Sequence, residues 1–191
     1  WDALPDARVV GGAVRDALAG RKVADLDLAT PDAPETVMQT LKRAGVKVVP
    51  TGLSHGTVTA VVDGRGFEIT TLRRDVETDG RRAVVAFTTD WRLDASRRDF
   101  TINAMSMTRD GSVFDYFEGK ADVAAGRIRF VGDAATRIAE DYLRILRFFR
   151  FFARFGRVPP DPDTLAALRT GIPGLAKLSI DRVWQELRRI L

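Results

Sequence analysis

The stretch Val9-Val10-Gly11-Gly12-Ala13-Val14-Arg15-Asp16, followed after a short helical segment by Ala24-Asp25-Leu26-Asp27-Leu28-Ala29, decides how the rest of the chain is read. Two β-branched residues run into a glycine pair, and the helical pattern beyond them closes at Gly20. The second segment alternates acids with apolar residues, the period of a strand. Asp25 and Asp27 are therefore expected on one face, about 7 Å apart along the backbone. Two carboxylates converging on one point repel each other unless a cation lies between them. Oxygen ligands, in a chain with no cysteine and one histidine, favour magnesium over zinc. Glycines let a triphosphate approach the backbone, and the amides opening the next helix suit anionic oxygens. Together these are the parts of a metal-dependent nucleotidyl-transfer site. Each alone is weak: a glycine pair before a helix is usually a tight turn, and a lone Asp-x-Asp is more often a solvated edge.

The 191 residues, 45% apolar and 29% charged, match an ordinary globular protein. One domain with a smaller appendage is expected. The absence of cysteine excludes a disulfide framework, a zinc–thiolate site and a cysteine nucleophile. No apolar run reaches the length of a membrane span and no signal peptide opens the chain, so a cytoplasmic location is expected. The start at Trp1 rather than Met suggests a trimmed chain. Lys and Arg number 30 against 26 Asp and Glu, a net charge of +4. Most of the cations are arginine, which suits bidentate phosphate recognition, although a high-GC genome produces the same bias. That balance permits a nucleic-acid partner without demanding one.

Asp32-Ala33-Pro34-Glu35 reads as a capping box ahead of a helix with Val37, Met38, Leu41 and Ala44 on one stripe, ended by Gly45. Strands are expected over Val46–Val49, Thr57–Val62 and Phe67–Leu72, the last two a hairpin about Asp63-Gly64-Arg65-Gly66. Residues 73–90 are polar without a clear period and read as a long loop. A helix is expected over Asp99–Met107, and strands at Val113–Asp115 and Arg127–Val131. Asp133 then caps a long helix, Ala134–Phe155, stopped by Gly156. A proline-rich linker, 159–162, precedes two shorter helices, Thr164–Arg169 and Ile180–Leu191, the second with Ser179 as its cap. The order is α/β first and all-α afterwards.

With these residues in place, the chain resembles the head and neck of the class II tRNA nucleotidyltransferases, the CCA-adding enzymes, and their relatives the bacterial poly(A) polymerases. The resemblance is carried in order by Gly-Gly-Ala-Val-Arg-Asp at 11–16, Asp25-Leu26-Asp27, Arg97-Arg98-Asp99-Phe100-Thr101-Ile102-Asn103-Ala104 and Glu140-Asp141-Tyr142-Leu143-Arg144. Lys177-Leu178-Ser179 leading to Arg182 and Glu186 also looks like the family's neck. The fold it implies is an α/β head of polymerase β-like nucleotidyltransferase type, a mixed sheet with flanking helices, over 1–132. An all-α neck follows over 133–191, with the family's body and tail absent. The activity it implies is addition of CCA, from CTP and ATP, to the tRNA 3′ end with Mg²⁺. The rivals are a poly(A) polymerase, an enzyme adding only CC or only A, or a non-catalytic RNA- or nucleotide-binding module. Poly(A) polymerases carry a Gly-basic-basic-Phe element where this chain has Pro50-Thr51-Gly52 and His55-Gly56-Thr57, which looks like the CCA-adding branch.

By the same resemblance, Asp25 and Asp27 hold the metal, and Glu68 is the third carboxylate, turned to the Asp face because Phe67 and Ile69 point to the core. Gly11, Gly12, Arg15 and Arg98 position the triphosphate and sugar, while Asn103 orders the backbone. Arg97-Arg98 opening a helix would be an odd placement for cations, which an anion would reconcile. On the long helix, Asp141, Arg144, Arg147, Arg150 and Arg154 recur among five phenylalanines, and arginines wrapped in apolar packing require anionic partners. In the family, the Asp and Arg of this motif read the base edge, and by that resemblance Asp141, Arg144, Arg147 and Arg150 are expected to bind the nucleotide. A carboxylate accepting an exocyclic amine beside a guanidinium donating to ring acceptors matches C and A, not U and G. His55, the sole histidine, reads as a structural loop residue. The 73–90 segment implies the mobile element that, in the resembling enzymes, switches the pocket from CTP to ATP.

Overall fold

The computed structural model describes residues 1–78 and 83–190. Its first unit is a seven-stranded mixed sheet in the order β3-β4-β5-β2-β1-β8-β9, with β1 at Arg8–Val10, β2 at Leu28–Thr30, β3 at Lys47–Gly52, β4 at Thr57–Val62, β5 at Arg65–Thr71, β8 at Ser106–Met107 and β9 at Val113–Phe114. Only β2 and β5 run parallel, and the chain passes between them through α2, Pro34–Arg43, and then β3 and β4. Val37 and Leu41 of α2 pack on Val58, Ala60 and Ile69, so the alternating strands bury one face as their pattern predicts. Ala13 and Val14 of α1, Gly12–Leu18, pack with Val9 and Met105.

The expected strand through Asp25 and Asp27 is shorter than its alternation suggests. β1 offers three residues before the chain turns at Gly11, so pairing begins at Val9↔Leu28 and both aspartates precede β2. Asp27 still accepts the Val10 amide through its carbonyl at 3.0 Å. The capping box also fails. Pro34 occupies the first helical turn and holds Ala33 extended as the N-cap, while Asp32 accepts from Thr30 Oγ1 at 3.1 Å.

Three further expectations are corrected. Residues 73–90 are not one long loop: β6, Arg73–Thr78, and β7, Ala83–Phe87, pair antiparallel, while Asp79, Gly80, Arg81 and Arg82 lie outside the described residues. The helix expected at Asp99 lies earlier, as α3, Trp91–Ser96, because Asp90 accepts the Arg92 and Leu93 amides and starts it there. Arg97 and Arg98 therefore close a helix, where its dipole favours cations, and no anion is needed to explain them. Segment 127–131 forms one isolated bridge, Phe100↔Phe130, since the chain opposite turns into a 3-10 turn at Thr101–Asn103.

The long helix is two. Asp133 caps α5, Ala134–Glu140, as read, but Asp141 is extended at φ −155° and its carboxylate accepts the Leu143 amide to start α6, Leu143–Phe155. Aspartate serves a helix start better than a helix interior. α7, Pro162–Gly171, a 3-10 segment, Ile172–Lys177, and α8, Ile180–Leu187, complete the second unit. Ser179 occupies the N-cap position of α8 without a side-chain bond. A phenylalanine-rich core joins the two units: Phe100 and Phe130 stand 4.9 Å apart, and Phe148 of α6 stacks on Phe130 at 5.8 Å. α4, Gly119–Ala125, packs behind the 3-10 turn at Thr101–Asn103.

Candidate active site

A cavity of about 510 Å³ opens between the N-terminal end of α1, the end of α3 and one flank of α6. Gly11, Gly12, Arg15, Asp27 and Arg98 line it from the sheet side. Asp141, Arg144, Arg147 and Arg150 line it from the helical side. Nine of the sequence-derived site residues thus share one space. Asp25 and Glu68 do not line it. Both are exposed, as is Asp27, and Glu68 lies one residue before Ile69 as Asp27 lies one residue before Leu28, the ladder partner of Ile69.

Gly11 sits at φ +68°, a region disfavoured for side chains, and a Cβ there would stand 2.9 Å from Arg98 Nη1. The space left by the missing side chain is filled by the Arg98 guanidinium. Arg98 Nη2 donates to Asp94 Oδ2 at 3.2 Å and Nη1 to the Asn103 carbonyl at 3.4 Å. Arg15 is almost fully buried. Its Nη1 donates to Asn103 Oδ1 at 2.6 Å, its Nε to Asp16 at 2.9 Å, and its plane lies 4.5 Å from the centre of the Phe155 ring. Burial makes it less basic than a free arginine, although Asp16 opposes the shift.

No hydrogen bond or ion pair among the described residues holds the carboxylate of Asp25 or Asp27. Burial first, and the neighbouring Asp25 charge second, raise the Asp27 carboxyl, with Arg98 opposing them. An unpartnered pair of hard oxygen donors, one of which raises the carboxyl of the other, fits a divalent cation. Among the described residues no cluster of three or more metal-ligating side chains forms, so Glu68 does not complete a preassembled triad.

On the helical side Arg144, Arg147 and Arg150 have each found a carboxylate. Arg144 Nη1 donates to Glu140 at 2.5 Å and to the Arg137 carbonyl at 2.7 Å. Arg147 donates twice to Asp99 Oδ2, at 2.8 and 2.5 Å. Arg150 Nε lies 2.5 Å from Glu186 Oε1, a charge contact whose angle makes no directed hydrogen bond. Asp141 Oδ2 accepts from Arg182 at 2.8 Å. His55 is exposed and contributes its backbone carbonyl to Arg73. Asp94 escaped the sequence reading, although its spacing of three and four from Arg97 and Arg98 marks ion-pair geometry on a helix.

A family model described as the poly(A) polymerase head domain matches residues 7–129. The human protein named CCA tRNA nucleotidyltransferase 1, mitochondrial, is 50% identical over 97% of this chain and 44% of its own length. The CCA-adding enzyme of Leuconostoc citreum is 44% identical over 97% of this chain and 45% of its own. The crystal structure of the Bacillus stearothermophilus CCA-adding enzyme in complex with CTP superposes with a TM-score of 0.85 at 38% identity, over 96% of this chain and 44% of that one. The chain spans a little under half the length of these proteins.

Proposed function

The chain belongs to the family that unites the class II tRNA nucleotidyltransferases, or CCA-adding enzymes, with the bacterial poly(A) polymerases, and we propose that it forms the head (1–132) and neck (133–191) of an enzyme adding CCA to the tRNA 3′ end from CTP and ATP. The observation that carries the proposal is the shared cavity: Asp27 and Arg98 at one side, Asp141 and Arg144 at the other, within about 510 Å³. That volume falls within the range of small-molecule sites.

In this proposal, the 3′-hydroxyl attacks the α-phosphorus in line with the departing pyrophosphate. Asp25 and Asp27 hold Mg²⁺, which supplies Lewis-acid stabilisation of the charge that develops on the phosphoryl oxygens. Arg98, fixed over Gly11, meets the triphosphate. Arg15 braces the glycine turn through Asn103 and Asp16. Asp141 and Arg144 offer the acceptor and donor that match the base edges of cytosine and adenine. Arg147 and Arg150, held by Asp99 and Glu186, present further donors to the nucleotide. Glu68, one step along β5 beside Asp27, takes up the hydroxyl proton. A cytoplasmic place of action belongs to the same proposal, although the human relative's name puts that protein in mitochondria. No helix among the described residues is long and apolar enough to cross a membrane.

The test is incorporation by the full-length protein with Mg²⁺, CTP, ATP and a tRNA lacking its last three nucleotides. The expected product is two C residues and one A. Continued A addition identifies a poly(A) polymerase, arrest after C a CC-adding enzyme, and A added only to a CC end an A-adding enzyme. Nucleotide or RNA binding without any product identifies a module that has lost its chemistry.

A further inference from the structure

Asp94 lies in α3, is 3% exposed, and uses both carboxylate oxygens on different parts of the molecule. Oδ2 accepts from Arg98 Nη2 at 3.2 Å. Oδ1 accepts from Arg97 Nη2 at 2.9 Å and Nε at 3.1 Å, and from the backbone amide of Arg73 at 3.2 Å. Arg73 is the first residue of β6, and its carbonyl also accepts from Arg97 Nε at 3.1 Å. The Arg97 carbonyl in turn accepts from Arg144 Nη2 at 3.4 Å.

We propose that Asp94 is a positioning residue that fixes the Arg98 guanidinium over Gly11 and ties it to the base of the β6–β7 hairpin. An exposed i,i+4 pair contributes a few tenths of a kcal/mol and little else. This pair differs in three respects. The carboxylate is buried, so its charge is not screened by water. Its second oxygen is already satisfied by Arg97 and Arg73, so the contact with Arg98 is an additional one directed at the cavity. And without it Arg98 keeps, among the described residues, a single long hydrogen bond, to the Asn103 carbonyl at 3.4 Å. Movement at the hairpin base displaces the Oδ1 partners, and a rigid carboxylate transmits that movement to Oδ2. The hairpin is thereby wired to Arg98 through Asp94 and to Arg144 through the Arg97 carbonyl.

The role rests on Arg98 as a nucleotide-binding residue, and the experiment separates the two. In the full-length protein, KM for CTP and ATP and the melting temperature are measured for wild type, Asp94→Asn, Arg98→Ala and the double variant. Asn matches Asp in volume but turns an N–H₂ group against one guanidinium. Loss of one charge-assisted hydrogen bond predicts a rise of about tenfold or more in KM for both nucleotides. The double variant should be no worse than Arg98→Ala alone. If the Asp94 and Arg98 losses multiply, or KM holds while only the melting temperature falls, Asp94 is a structural residue and the proposal is overturned. If Arg98→Ala leaves KM unchanged, the assignment of Arg98 is what fails, and the Asp94 role falls with it. Should Asp94→Asn not fold, the same cycle is run with Asp94→Glu, which keeps the charge and displaces it by one methylene, and the same patterns decide.

Discussion

Replacing Asp99 by asparagine should loosen the joint between sheet and helices more than any other isosteric change near the cavity. Asp99 is 8% exposed and accepts four hydrogen bonds: two from Arg147 of α6, at 2.8 and 2.5 Å, one from Asn103 at 3.0 Å and one from the Phe100 amide at 2.8 Å. Asn103 in turn accepts from Arg15 at 2.6 Å, so a buried polar chain runs from α1 to α6. Burial by itself would raise the Asp99 carboxyl, but the Arg147 charge and these hydrogen bonds outweigh it and hold the group below its ordinary 3.8. Arg147 shifts the opposite way, made more basic by Asp99 against its own burial. Asparagine preserves the volume and one acceptor but leaves a guanidinium facing an amide. Breaking a buried pair from one side costs about 3–5 kcal/mol, and the partial exposure of Arg147 places this case near 3. Against a total of about 5–15 kcal/mol this is a large share, and at about 2–4 °C per kcal/mol it lowers the melting temperature by roughly 6–12 °C. The pH dependence has a definite sign. A depressed carboxyl contributes stability above its unfolded value and loses it as pH falls through the folded one, so the gap between wild type and Asp99→Asn is flat from about pH 5 to 8 and narrows below about 4. Urea and thermal unfolding across pH measure this. A drop under about 2 °C at pH 7, or a gap that persists unchanged in acid, refutes the reasoning.

The remaining predictions concern the chemistry. Because burial and Asp25 raise the Asp27 carboxyl, its ionised form opposes folding and the penalty appears as pH rises through the folded value; Asp27→Asn should therefore hold or raise the melting temperature in metal-free buffer at pH 7 while abolishing Mg²⁺-dependent incorporation. A lower melting temperature, or retained activity, contradicts this. Asp141→Ala and Arg144→Ala should each weaken rejection of UTP and GTP by about 1–3 kcal/mol, roughly 5- to 150-fold, read from single-nucleotide incorporation; undiminished selectivity removes both from base recognition. Deleting residues 76–82 to shorten the β6–β7 hairpin should spare the two C additions and impair the final A, visible as product length on a gel, and equal effects on both steps count against a switching role.

Particular residues show what was legible and why. β4 and β5 were readable because Val58, Ala60 and Ile69 alternate with polar residues and Asp63-Gly64 demands a tight turn; both turn residues have positive φ. Ile128 and Phe130 are buried, as alternate residues of the strand expected over 127–131 would be, but a strand also requires a partner, and the chain opposite turns away after Phe100. The hairpin at 73–87 was missed although Ala83–Phe87 is an apolar run, because the charged residues of β6 and of 79–82 leave the segment as a whole without a clear period. The break at Asp141 was missed although its cause is local, an extended aspartate accepting the Leu143 amide; its other oxygen takes Arg182, 41 residues away, a pairing no local pattern contains. Motif spacing therefore named most of the residues around the cavity. It could not say which carboxylate each arginine would take.

Those pairings govern how the cavity can work. Seven arginines line it, with only Asp27, Asp99 and Asp141 as lining acids, yet six of the seven are matched by carboxylates: Asp16, Asp94, Glu140, Asp99, Glu186 and Asp141 for Arg15, Arg98, Arg144, Arg147, Arg150 and Arg182. Arg154 alone has no ion pair among the described residues, and its charge is one of those that lower the basicity of Arg15. Four of the six partners stand behind the wall rather than in it. A guanidinium has five N–H donors in a fixed fork, so one carboxylate behind it holds the side chain while donors on the other edge remain for a ligand. Immobilising a free arginine on binding would cost about 0.5–1.5 kcal/mol for each side chain; here the carboxylates have met that cost during folding. The same arrangement explains why the positive cavity does not need an anion to hold its shape, and why a change in a hidden acid such as Asp94 or Asp99 should alter nucleotide handling without touching the nucleotide.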